Sequence, residues 1–394
     1  MITPSRAAAL ALLALIAACG GTNTNDPPDT TPQPQQRNGQ PRVQSRIDSS
    51  RANRVIENAR PDPSARAGLL VVANQEGNNA TIVDAATLQT VATVPVGTGP
   101  HETAVSPDGR WAVVTNYGNR EVIGNTISVI DLAATTPSVV RTINLGEYHR
   151  PHGAAFIRDG QKLLVTSETS QALVVVDFAS GKVDTALATN AKGSHMVAVR
   201  RDGKRAWTAN IGGGNVTEFD LESMTTVRSI TAAPNDEGIA TTPGGIQVWV
   251  GSNSAKTVTI IDTQRGMATD TLKGFASPYR IGISRTGRVA VVSDPENNKV
   301  WLFEIGTNRK LAELDLAKAK GVVMPALTSA DSVSKRTADP EGITFDPISD
   351  FAYVTLHATN QVVAIDLNTY KVAGTGAVGT GPDGISFSPL VRKP

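Results

Sequence analysis

GPHETAVSPDGRWAVVTNYGN, residues 99–119, is the stretch from which the fold is read. A Gly-Pro break opens it, a short β-prone run follows from His101, and Pro107-Asp108-Gly109 makes a turn. A second apolar run then ends in Val113-Val114-Thr115-Asn116. That last segment recurs as Val71-Val72-Ala73-Asn74, Leu164-Val165-Thr166-Ser167, Trp207-Thr208-Ala209-Asn210, Trp249-Val250-Gly251-Ser252, Val291-Val292-Ser293-Asp294 and Tyr353-Val354-Thr355-Leu356. These are seven copies of a unit roughly 42 residues long, and a period in that range signals stacked supersecondary repeats.

Two further landmarks keep step with the first. Ten residues after it, an acid closes a β-branched run: Asp84, Asp177, Asp220, Asp262, Glu304 and Asp366, with Asp131 arriving after fifteen. Such an acid at a strand end suits a turn in which the carboxylate accepts nearby backbone N–H groups. Seventeen residues further comes the Pro- or Gly-broken segment seen at residues 99–109, repeated as RPHGAAFIRDG, SPYRIGISRTG, DPEGITFDPIS and GPDGISFSPLV. Each repeat therefore supplies four short strands, the content of one propeller blade. The expected fold is all-β, a seven-bladed β-propeller of four-stranded antiparallel blades.

These segments resemble the YVTN-type propeller repeat, which combines a YVTN-like strand, a VID-type strand and a PDG-ended segment. The resemblance runs from Leu69 to Leu390. It implies binding modules as well as relatives of lactonases and lyases. Repeat phase predicts the closure too: the chain enters with the second strand of a blade and leaves with an innermost one, so residues 384–388 are expected beside the N-terminal strand.

Composition agrees with many short strands joined by tight turns: 35 Gly, 23 Pro, 19% charged and 4% aromatic residues. Net charge is +1, which argues against a nucleic-acid partner, since phosphate neutralisation needs a basic excess. The single cysteine is Cys19, so no internal disulfide forms. It follows Arg6, a short apolar core and Ile16-Ala17-Ala18, a stretch that resembles the lipobox of bacterial lipoproteins. The expected organisation is a signal peptide over 1–18, lipid attachment at Cys19, a Pro-, Asn- and Gln-rich tether over 19–66 and the propeller over 67–394. Gly20 after the cysteine favours the outer membrane in a cell that has one.

Both main departures from the repeat fall on the face where the innermost strands begin: extra residues at 117–125 and a longer insertion at 317–336, expected as a lid or short helix over the channel mouth. The residues that start the innermost strands are His101, His152, His195, Glu237, Tyr279, Glu341 and Asp383, with Arg280 beside Tyr279. Adjacent imidazoles with a carboxylate could hold Zn, Cu or Mn, and His101, His152 and His195 are the candidate ligands. The same residues also suit a polar channel lining or a metal-free acid/base pair. The function expected is that of a monomeric, lipid-anchored envelope propeller binding a protein, glycan or small molecule through its top face. The alternative is a metal-dependent lactonase or lyase-type enzyme using the ring.

Overall fold

The computed structural model describes residues 66–325 and 337–391. The expected signal peptide, Cys19 and the tether up to residue 65 lie outside them. Among the described residues the chain forms seven four-stranded antiparallel sheets, a seven-bladed β-propeller. Blade 1 consists, from the axis outward, of Pro382–Ser388, Leu69–Asn74, Asn79–Asp84 and Thr90–Pro95. Blades 2 to 7 follow in chain order. Their innermost strands are Pro100–Val105, Pro151–Ile157, Ser194–Val199, Asp236–Thr241, Ile281–Ile283 and Pro340–Phe345.

Period-two alternation explains how the blades pack. In Leu69–Asn74 the odd residues Leu69, Val71 and Ala73 face blade 2, whereas Leu70 and Val72 face blade 7. A second strand is thus apolar on both sides, and all six residues are buried. Seven apolar clusters result, one at each junction between neighbouring blades. Outermost strands such as Met267–Lys273 are largely exposed. Trp207 and Trp249 are fully buried in second strands and belong to these clusters rather than to any surface platform.

The strand-end acids act as the sequence indicates. Asp84 accepts N–H bonds from Ala86 and Thr87, Asp220 from Glu222 and Ser223, Asp262 from Gln264 and Arg265, and Asp366 from Asn368 and Thr369. Ring closure also follows the repeat phase: Leu69 pairs with Ser388 and Val72 with Ile385. In six blades the loop between second and third strands is hydrogen-bonded to the connection entering that blade. Tyr117 N–H donates to the Gly99 carbonyl, and Asn253 N–H to that of Asn235. These two sets of loops therefore share one face, the top.

The insertions behave differently from each other. The residues at 117–125 lengthen two strands, Trp111–Gly118 and Ile123–Asp131, into a taller hairpin with Gly118 opposite Ile123. The described part of the 317–336 insertion is not a lid. After the short 3-10 turn Leu316–Lys318, Val323 N–H donates to Gln361 Oε1, and Gly321 O accepts from Gln361 Nε2 and Thr375 Oγ1. Gln361 and Thr375 lie on the third and fourth strands of blade 7, away from the axis. The apolar side chains Leu316, Val322 and Met324 join the cluster between blades 6 and 7, which accounts for that position. Residues 326–336 lie outside the described structure.

Candidate functional site

Pairing in register makes the first residues of the innermost strands converge at the top of the channel. His101, His152 and His195, from blades 2, 3 and 4, form a column of rings: His101 to His152 is 4.0 Å between centroids and His152 to His195 is 3.7 Å. All three are buried, and His152 completely so. Tyr117, carried on the taller hairpin, lies edge-on to His101 at 5.1 Å and to His152 at 5.6 Å. Its hydroxyl donates to Glu168, and the Arg150 guanidinium packs on its ring at 4.8 Å.

The outer two histidines are fixed by carboxylates. His101 Nδ1 contacts Asp383 Oδ2 of blade 1. His195 is engaged at both nitrogens, Nδ1 by Glu168 and Nε2 by Glu237 Oε1 at 2.6 Å. Two hydrogen bonds to ionised carboxylates require a proton on each nitrogen, so this ring is an imidazolium. Burial works against its charge, but the Glu237 carboxylate and the bonds to Glu168 and Glu237 outweigh burial and lift the pKa to about 9. Glu237 responds in the opposite sense: burial would raise it, yet His195 and Arg280 bring it down to about 2.

His152 stands apart. Neither ring nitrogen has a hydrogen-bond partner. Burial, and then the neighbouring His101, His195 and Arg280 charges, hold its pKa well below the usual imidazole value, so the ring is neutral.

Beneath the histidines lies a tier in which the expected Arg280, Glu237 and Asp383 are joined by Glu102, which sequence reading passed over. Arg280 Nε donates to Glu102 Oε1 at 2.9 Å and Nη1 to Glu237 Oε1 at 3.1 Å, while Nη2 is 3.6 Å from Asp383 Oδ1. One guanidinium from blade 6 thereby ties blades 1, 2 and 5 together at the axis, stacked on the Tyr279 ring at 4.2 Å. The same position in four other blades is Gly153, Gly238, Gly342 or Gly384, where a Cβ would strike the neighbouring innermost strand. Burial pushes Glu102 up against the pull of Arg280, and the Asp383 charge adds to the rise. For Asp383 burial acts upward, but His101 and Arg280 prevail and bring it to about 2.

The structure thus gathers the eight sequence-derived residues around the mouth but divides them. His101, His152, His195, Glu237, Arg280 and Asp383 share one connected network. Glu341 sits on another arc, near Asp339 and His357, which are 3.7 Å apart. Burial and the Asp383 and Asp339 charges push Glu341 well above the ordinary carboxyl range. Two potential ligand groups share His152: His101–Glu102–His152 and His152–Glu168–His195, each with donor atoms within 4.8 Å of one another. Glu102 and Glu168 were missed by sequence reasoning. The signal was present: Glu102 and Arg280 are opposite charges at a position four other blades give to Gly, and Tyr117, Glu168, Asn253 and His357 all directly follow the recurrent four-residue segment.

Two solved structures share this architecture. Hydrazine synthase of Kuenenia stuttgartiensis is 17% identical, with a TM-score of 0.61 over 75% of this chain and 92% of that one. A functionally unknown protein from Desulfotomaculum acetoxidans is 14% identical, with a TM-score of 0.64 over 82% and 99%. At such identities the likeness shows the fold alone, that of a β-propeller. No protein-family model matches the chain, and no curated protein does.

Proposed function

We propose that this chain is a lipid-anchored envelope propeller of the YVTN type that binds a small polar solute at the top mouth of its channel. One observation carries the reading: a polar network from blades 1 to 6 is already locked in place before any ligand arrives. Preorganisation of this kind lowers the ordering cost of binding. The ring is buried beneath Tyr117, so a protein or glycan would meet only the surrounding loops, which leaves a small solute as the ligand class that suits it. The lipobox-like Ile16-Ala17-Ala18-Cys19 and the polar tether behind it support the anchored, extracytoplasmic address.

The test is a thermal-shift panel of small sugars, organic acids, amino acids and lactones on the full chain, with chelator present. At least one solute is expected to raise the melting temperature of the wild type and to lose that effect in Glu237→Gln. Arg285→Ala, far from the mouth, should keep it. If no solute stabilises the protein, while a macromolecule binds through the outer loops, the mouth is not the binding site. Turnover of a lactone by the same preparation would replace binding with the enzymatic alternative.

A further inference from the structure

Among the described residues, His152 is a polar side chain held in complete burial with no partner at either nitrogen. Leaving a buried polar group unpaired is costly, so its persistence calls for something that uses the lone pair.

His101 is set up in the same way. Asp383 holds Nδ1, leaving Nε2 available; a carboxylate behind a ligating histidine fixes ring orientation and raises the basicity of the other nitrogen. Glu102 supplies oxygen: Oε1 accepts from Arg280, and among the described residues no protein donor bonds Oε2. Ligands in a tetrahedral site with bonds of about 2.1 Å stand roughly 3.4 Å apart. The present separations, all within 4.8 Å, need only a modest contraction.

His195 itself is committed to Glu168 and Glu237, so it is a neighbour of this site and not a ligand.

We infer that His101, Glu102 and His152 form a divalent transition-metal site, with Asp383 as the positioning residue for His101. Two imidazoles and one carboxylate suit Zn(II) or Cu(II) better than Mg(II) or Ca(II). The inference rests on the mouth being the binding site and names one occupant of it.

Full-length protein, stripped with chelator and dialysed, is titrated with ZnCl2 by calorimetry and with CoCl2 by visible absorption. One equivalent is expected, with the intense d–d bands of low-coordinate Co(II). His152→Gln and Glu102→Gln should each weaken Zn(II) binding by about 100-fold or more, and Asp383→Asn by about 10–100-fold. His357→Gln should leave both signals unchanged. Should His152→Gln not fold, Glu102→Gln and Asp383→Asn carry the test. No binding by the wild type, or one equivalent retained in folded Glu102→Gln and Asp383→Asn, overturns the site. Loss of the metal site with solute stabilisation intact would leave the mouth reading standing; solutes failing while Zn(II) binds would do the reverse.

Discussion

Asp236 occupies the position that is Pro100, Pro151, Pro340 and Pro382 in other blades and Ser194 in blade 4. It is fully buried and neither carboxylate oxygen has a partner, so burial lifts its pKa to about 8. The unfolded chain ionises near 3.9. Below that value both states are protonated and the residue costs least. As pH rises the unfolded state ionises first, so stability is lost from about pH 4 up to the folded pKa near 8 and is level above it. Asp236→Ser removes the titrating group and restores the residue blade 4 uses. It is expected to be about 1–3 kcal/mol more stable than wild type at pH 8 and to flatten the decline between pH 5 and 8. Urea melts across that range check this; equal slopes would show that the carboxyl is satisfied in solution.

At the level of strands, the innermost set must approach one another more closely than side chains allow. A Cβ on Gly384 would meet Glu102 Oε2 and the His101 carbonyl oxygen, each at 2.5 Å, and the second of these is backbone and cannot swing away. Gly384→Ala is therefore expected to cost about 1–3 kcal/mol in urea denaturation. Gly244→Ala, whose nearest neighbour is Ile246 at 3.8 Å, should change stability by no more than about 0.5 kcal/mol. The contrast between the two glycines also marks what was legible in the sequence. Strands, turn acids and the ring of starting residues could be read, because each repeats in register along the chain. The Glu102–Arg280 tie joins blades 2 and 6, 178 residues apart, and depends on how the ring closes across its axis. Glu168 lies in a loop and becomes a site residue only because blades 3 and 4 stand side by side. Of the 317–336 insertion only residues 317–325 are described, and there Val322 and Met324 pack between blades 6 and 7 because a buried apolar site was available to them, which chain position alone does not show.

On the proposed reading, the sequence over 19–66, low in apolar residues and rich in Pro and Gln, is a spacer between a membrane surface and the propeller. Cys19→Ser is expected to move the protein out of the detergent-requiring membrane fraction, either as a released or an unprocessed form, with the propeller's melting temperature unchanged. Fractionation with metabolic labelling by a fatty-acid analogue checks it, and unaltered membrane retention of an unlabelled wild type would contradict lipidation. The ring itself is shut by Pro382–Ser388, the last strand made, and that strand also brings Asp383 to His101. Because ribosomes build chains from the N-terminus, the mouth cannot assemble in a nascent or truncated product: six blades can be in hand while His101 still lacks its orienting carboxylate. Assembly of the mouth is thereby conditional on synthesis having passed Ser388, the residue that completes the closing strand.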